Sequence, residues 1–262
     1  MGKVLKFCIW LPLLVSIVAC SDDENAKAVS REVVKIDIYQ AESDAFTLKA
    51  RYQLAYDGKG RVSSVRLENP VQEVSYTYGS SNIAYRWDGN NAFEGTFIHR
   101  FEAELRNGHV FVGSLNSNVG TESSIYNYSY HYNNSGYLLD ATFGGSQMFS
   151  YLWTKKSLTI KGYPSGYNGE YTFSHTANDY SIDLNTLPLL VDARTDIMLA
   201  MNAYGQLAGV LGKRYPYFME DIDFTYNYMF DSDSRLVQIV QSPASMAPEK
   251  QVTYWFQLTY ED

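Results

Sequence analysis

The sequence predicts an all-β fold. It reads as a strongly curved antiparallel up-and-down meander, a barrel or half-barrel that is water-soluble, with one short helical insertion. Three observations carry this reading. Apolar and polar residues alternate with a period of two over most of the chain after about residue 31. Turn signals interrupt that alternation at short intervals. The enriched class is aromatic, with 23 Tyr, 13 Phe and 4 Trp, and such rings suit a half-buried pleated surface.

The turns have their own grammar. Tyr56-Asp57-Gly58-Lys59-Gly60-Arg61-Val62 reads as strand end, tight turn and strand start. The same order returns at Tyr132-Asn133-Asn134-Ser135-Gly136-Tyr137-Leu138 and at Phe230-Asp231-Ser232-Asp233-Ser234-Arg235-Leu236. An Asp or Asn at the first corner accepts hydrogen bonds from the backbone just ahead of it, and Gly at the last corner tolerates positive φ. This predicts a hairpin built on a type I turn closed by a left-handed residue. Ser234 stands in the glycine slot, at a cost in strain or with a different turn. Asn107-Gly108 predicts a two-residue type I′ hairpin. Further turns are expected at 79–82, 88–91, 155–156 and 178–179.

The amino end is a processing signal. Lys3 and Lys6 precede a short apolar run that contains Pro12 and is too short to span a bilayer as a helix. It ends in Ile17-Val18-Ala19-Cys20, which resembles a bacterial lipobox. The resemblance implies cleavage before Cys20, lipidation of that cysteine and a lipid anchor in the outer membrane. The domain plan is therefore a signal at 1–19, a lipidated tether at 20–31 and a single β-domain at 32–262. Cys8 leaves with the signal, so Cys20 is the sole mature cysteine and no disulfide is expected. Loss of Lys3 and Lys6 makes the net charge of −8 two units more acidic. An acidic balance argues against nucleic acid as a partner. Ser21-Asp22-Asp23-Glu24 resembles the acidic tag that directs lipoproteins to the cell surface, with the periplasmic face as the alternative.

The strands follow in order. Tyr52, Leu54 and Tyr56 share one face; so do Val74, Tyr76 and Tyr78, then Ile83, Tyr85 and Trp87. Phe97, His99, Phe101, Ala103 and Leu105 oppose Arg100, Glu102 and Glu104. Four tyrosines alternate from Tyr126 to Tyr132, and two further aromatic rows run from Ile222 to Phe230 and from Val252 to Tyr260. About 14 strands are expected from this spacing. The faces opposite the rings carry Arg51, Arg66, Arg86, Arg100, Glu102 and Glu104. Charges on a lipid-facing surface would cost about 2–4 kcal/mol each for Arg or Lys at mid-membrane. The rings therefore turn inward and the charges meet water. The period breaks once, over 195–212, where Ile197, Met201, Tyr204, Ala208 and Leu211 follow helical spacing. A competing hairpin reading exists there, around Asn202-Ala203-Tyr204-Gly205.

The signal with Cys20, the Tyr-rich meander with Tyr56-Asp57-Gly58-Lys59-Gly60-Arg61, Ile182-Asp183-Leu184-Asn185, and Gly209-Val210-Leu211-Gly212-Lys213-Arg214 together resemble an uncharacterised Bacteroidetes lipoprotein family described as having a porin-like fold. The resemblance spans roughly residues 30–262. It implies a curved, barrel-like antiparallel sheet and supplies no catalytic residues. The chain departs from the family pattern at Tyr215-Pro216-Tyr217, where Leu-Pro is usual.

Chemistry-bearing motifs are sparse. His99, His109, His131 and His175 share no zinc-ligand spacing, and His99 falls on a ring face as a core histidine. No nucleophile elbow or phosphate loop is present, and no cofactor or metal is expected. Asp231-Ser232-Asp233-Ser234 lacks the Gly and distal Glu of a calcium loop and reads as a plain turn. Trp255 falls out of phase with the aromatic row and should lie on the polar face, as a stacking platform or beneath a neighbouring edge. Gly162-Tyr163-Pro164-Ser165-Gly166-Tyr167-Asn168-Gly169 has the composition of a recognition loop. The candidate ligand-binding rings are Trp255, Tyr163, Tyr167 and Trp87. The expected function is a non-catalytic binding module of the cell envelope, for glycan or peptide. A structural or partner-docking lipoprotein of an outer-membrane complex is the alternative, and a hydrolase comes third.

Overall fold

A computed structural model describes residues 32–42, 45–68, 71–91, 95–163, 166, 168–177, 217–244 and 252–261. Every regular element among these residues is a strand. The first hairpin joins β1 (Val33–Glu42) to β2 (Ala45–Tyr56). Then come β3 (Val62–Leu67), β4 (Gln72–Tyr78), β5 (Asn82–Asn91), β6 (Gly95–Arg106), β7 (His109–Val119) and β8 (Glu122–Tyr132). They are followed by β9 (Leu138–Phe143), β10 (Ser146–Trp153), β11 (Ser157–Gly162) and β12 (Asn168–Ala177). The last four are β13 (Tyr217–Asp221), β14 (Phe224–Phe230), β15 (Leu236–Pro243) and β16 (Tyr254–Tyr260). Among the described residues the sheet has 16 strands, where the spacing predicts about 14. The segment expected to be helical, 195–212, lies outside the described residues, as does the amino-terminal signal. No described residue is helical.

Neighbours in sequence are neighbours in space throughout. β1 pairs antiparallel with β16, from Val33↔Tyr260 to Gln40↔Tyr254, so the first and last described strands lie side by side. The two edges are then β13 and β14, which are consecutive strands joined through Ile222 and Asp223. The sheet has rolled almost completely round. The seam is bridged by side chains in place of a backbone ladder. Tyr228 donates its hydroxyl to Glu220 Oε1 at 2.8 Å, and the Asp221 amide donates to the Tyr226 hydroxyl at 3.3 Å. Phe218 stacks on Tyr228 at 4.8 Å between centroids. Burial pushes the Glu220 carboxyl above its ordinary value, against the pull of the Tyr228 hydroxyl. Burial raises Asp221 as well.

One contiguous apolar cluster fills the roll, fed by the same phase of nearly every strand. The odd-numbered strands all start at one end of it. Their first inward residues, Val33, Val62, Ile83, Val110, Leu138, Leu158, Phe218 and Leu236, are no more than 3% exposed, and they plug that end. The even-numbered strands finish there, and their terminal rings clasp the odd ones. Tyr56 donates to the Val33 carbonyl at 2.9 Å, Tyr78 to Val62 at 2.8 Å, and Tyr132 to Val110 at 2.7 Å. Trp153 donates to Leu138 at 2.7 Å and Tyr260 to Leu236 at 2.6 Å. Each bond is accepted by the carbonyl of the first or second residue of a strand.

The turn grammar places two of these rings, Tyr56 and Tyr132, immediately before their corners. Asp57 Oδ1 accepts from the amides of Lys59 (2.9 Å) and Arg61 (3.0 Å), and Asn133 and Asp231 repeat both bonds. Gly60 (φ 71) and Gly136 (φ 85) close two of the turns, and Ser234 closes the third at φ 60. Arg61 pairs with Asp57 at 2.6 Å and covers the ring of Tyr78 at 4.2 Å. Arg235 does the same for Asp231 (2.7 Å) and Tyr260 (4.9 Å). Asn107 and Gly108, at φ 53 and 79, form the expected type I′ corner.

One expected turn is corrected. Residues 88–91 continue β5, paired to β6 from Asp88↔Ile98 to Asn91↔Gly95. Gly89 serves packing there: a Cβ on it would stand 2.6 Å from the ring of Phe97. On the opposite phase, Arg66, Arg86, Arg100, Glu102 and Glu104 are exposed, and Arg51 is half-buried. Apolar inside and charged outside is the reverse of a water-filled pore.

Candidate functional site

Trp255 lies on the outward phase, as its sequence phase requires. Its neighbours Phe256, Leu258 and Tyr260 take the inward phase and are buried. Across the sheet Trp255 is opposite Tyr39 and Val240. Phe46 reaches over β1 and lies on the indole, 3.8 Å between centroids and tilted by 30°. The indole is half-buried, and what meets solvent is Phe46 at 48% and Leu48 at 42% exposed.

A bulge creates this patch. Ile38 pairs with Ala50, but Tyr39 pairs with Leu48, so Lys49 is the extra residue. Strict alternation from Tyr52 and Leu54 would turn Leu48 and Phe46 inward. The added residue reverses their phase and sets them beside Tyr39 and Ala41 on the outer face. No turn residue or proline announces the bulge, which is why Phe46 and Leu48 escape a reading by periodicity.

The other expected rings are placed elsewhere. Trp87 is corrected: it is 5% exposed, packs edge-on against Phe97 at 4.9 Å and donates its indole N–H to Gln72 Oε1 at 3.2 Å. It belongs to the core, as its row with Ile83 and Tyr85 dictates. His99 is beside it, stacked on Phe97 at 4.8 Å. Tyr163 is 47% exposed at the end of β11, with its amide bonded to the Met148 carbonyl at 2.7 Å. Four strands separate β11 from β16 in the sheet order running through the seam, so Tyr163 and Trp255 do not form one surface. Tyr167 lies outside the described residues. Asp37 is buried at 4% exposure on the same outward face as Trp255. Burial alone would raise its carboxyl, but the Arg51 guanidinium, bonded at 2.6 and 3.1 Å, and Lys35 hold it below its ordinary value.

A second outward feature is a trough of about 820 Å³ over β5–β9. Asn82, Glu104, Val112, Ser129 and Thr142 cross it as one register row. Glu102, Ser114 and Asn127 form the next row. Gly113 lines it as well, and a Cβ there would come within 2.1 Å of the Phe101 ring. The ring lies directly under bare backbone, so the sheet comes close to its core at this point. Ser129 and Thr142 share a hydrogen bond of 2.5 Å. Two pairs further along, His131 Nδ1 meets Asp140 Oδ1 at 2.5 Å. Glu104 pairs with Arg106 at 2.8 Å. Periodicity places all these residues outside, but which rows align is set by strand stagger, which the sequence does not state.

No family model matches the chain. No curated protein matches it either. Among solved structures, it resembles a porin-like protein from Bacteroides vulgatus at 10% identity and a TM-score of 0.47, covering 87% of this chain and 98% of that one. A porin-like protein from Bacteroides uniformis aligns over 89% of this chain and 99% of that one, at 16% identity and a TM-score of 0.58. Identity that low speaks for the fold alone, and in fold this chain is similar to the porin-like protein of Bacteroides uniformis.

Proposed function

We propose that the chain is a lipid-anchored protein of the bacterial outer membrane that stands outside the bilayer and works as a non-catalytic binding module. Cys20 carries the anchor, and the acidic Ser21-Asp22-Asp23-Glu24 following it directs the domain to the cell surface. The binding surface is the Phe46–Trp255 patch, and its ligand is a glycan or a peptide. One observation carries this reading: a bulge turns Phe46 and Leu48 outward and sets Phe46 on Trp255, on the face that also carries Asp37 and Arg51. Large apolar side chains set in pairs on a polar surface mark contact sites. The test is a glycan and peptide array probed with purified residues 21–262. Binding that falls at least tenfold in Phe46→Ala and Trp255→Ala supports the reading, whereas binding to neither array defeats it.

A second reading is favoured by the covered state of the indole. With Phe46 over one face, the patch offers aliphatic and ring edges suited to the side chains of another envelope protein. Crosslinking from a photoreactive residue at position 48 in living cells distinguishes the two. A discrete protein adduct favours docking; monomer alone counts against it.

A further inference from the structure

We propose that the outward trough over β5–β9 is a second binding site, and that its occupant is a neutral oligosaccharide. The proposal rests on the reading of the chain as a non-catalytic binding module and adds a site and a ligand class to it. The trough's volume of about 820 Å³ falls within the range of small-ligand sites. Its lining mixes apolar surface with amides, hydroxyls and carboxylates, and Val112 is its one exposed large apolar side chain. That lining suits a ligand covered in hydroxyls. Asn82 and Asn127 offer paired donors and acceptors, and Glu102, Ser114 and Thr142 add acceptors and hydroxyl donors.

Charge narrows the class. No Lys or Arg lines the trough, and Glu102 makes no ion pair among the described residues. Sulfated and uronate sugars, phosphates and nucleic acid would meet uncompensated negative charge. The lining residues sit on hydrogen-bonded strands, so they are fixed before a ligand arrives, and little ordering cost is added on binding.

The test begins with a glycan array carrying neutral and anionic sets, probed with residues 21–262, followed by NMR titration with cellopentaose, xylopentaose and maltopentaose. Neutral glycans are expected to bind and to shift the side-chain amides of Asn82 and Asn127. Asn127→Ala, and Ser114→Tyr which fills the floor, are expected to weaken binding at least tenfold with thermal melting unchanged. Leu152→Ser, on a distant exposed position, leaves binding unaltered. Failure of every neutral glycan, or a preference for the anionic set, overturns the proposal. So does neutral binding that survives both trough variants. If that surviving binding is lost in Phe46→Ala, the ligand sits on the aromatic patch, and the broader reading stands while the trough does not.

Discussion

Asp57 shows how much of a hairpin one side chain specifies. One oxygen takes two turn amides, and the other takes the Arg61 side chain at 2.8 Å. Chiefly through that side-chain bond, then through the Arg61 amide, the carboxyl is held at about 2. A depressed acid stabilises the fold above its ordinary titration range and loses that contribution as pH falls toward the folded value. Asp57→Asn keeps the turn, as Asn133 does at its own corner, but drops the charge. The gap in melting temperature between native protein and Asp57→Asn should therefore be full above pH 3.8 and close as pH falls toward about 2. Melting curves across that range check it. Gly113 is the opposite kind of residue, important for what it lacks. Gly113→Ala should destabilise by about 1–3 kcal/mol through overpacking against Phe101. Combining it with Phe101→Leu should recover part of that loss in urea unfolding.

At the scale of elements, two devices act at opposite ends of the strands. At the plugged end, ring hydroxyls and an indole clasp the first carbonyls of neighbouring strands. Tyr132→Phe leaves the ring in place but deprives the carbonyl of the fully buried Val110 of its donor. The expected cost is about 1 kcal/mol in urea unfolding, with a similar loss for Tyr260→Phe. At the other end, the Lys49 bulge reverses the phase of the strand and builds the aromatic patch. The clasps of Tyr56 and Tyr132 follow from the turn grammar, which fixes where those rings stop, whereas Tyr78, Trp153 and Tyr260 end their strands without it. The bulge follows from nothing local.

At the scale of the whole molecule, a rolled sheet must deal with its edges. This one brings β13 and β14 together through Tyr226, Tyr228 and Phe218, without a backbone ladder. Side chains protect a seam less than paired amides do. Hydrogen exchange should therefore reach the amides of β14 facing the seam before those of β1, which is paired on both sides. On the proposed reading, Cys20 alone holds the chain to the membrane. Cys20→Ala should move the chain from the membrane fraction to the soluble fraction of cells, and the unlipidated domain should stay with the supernatant in liposome flotation. Recovery of Cys20→Ala in the membrane pellet would count against anchoring by that residue.

The sequence by itself determined the strand class, the hairpin corners and the inward or outward phase of most side chains. These are local: a period of two assigns faces, and an Asx with a left-handed closing residue assigns a corner, whatever the rest of the chain does. Trp255 outside and His99 inside were legible for that reason. The tertiary structure alone decided how far the sheet rolls, that Gly89 and Gly113 yield to rings in place of turning, and that Phe46 lies on Trp255. It also decided which outward rows align into a trough. Each of these depends on stagger between strands, and stagger is set by packing a shared core from many strands at once. A single bulge, costing one unpaired residue, is enough to override the alternation on which sequence reading relies.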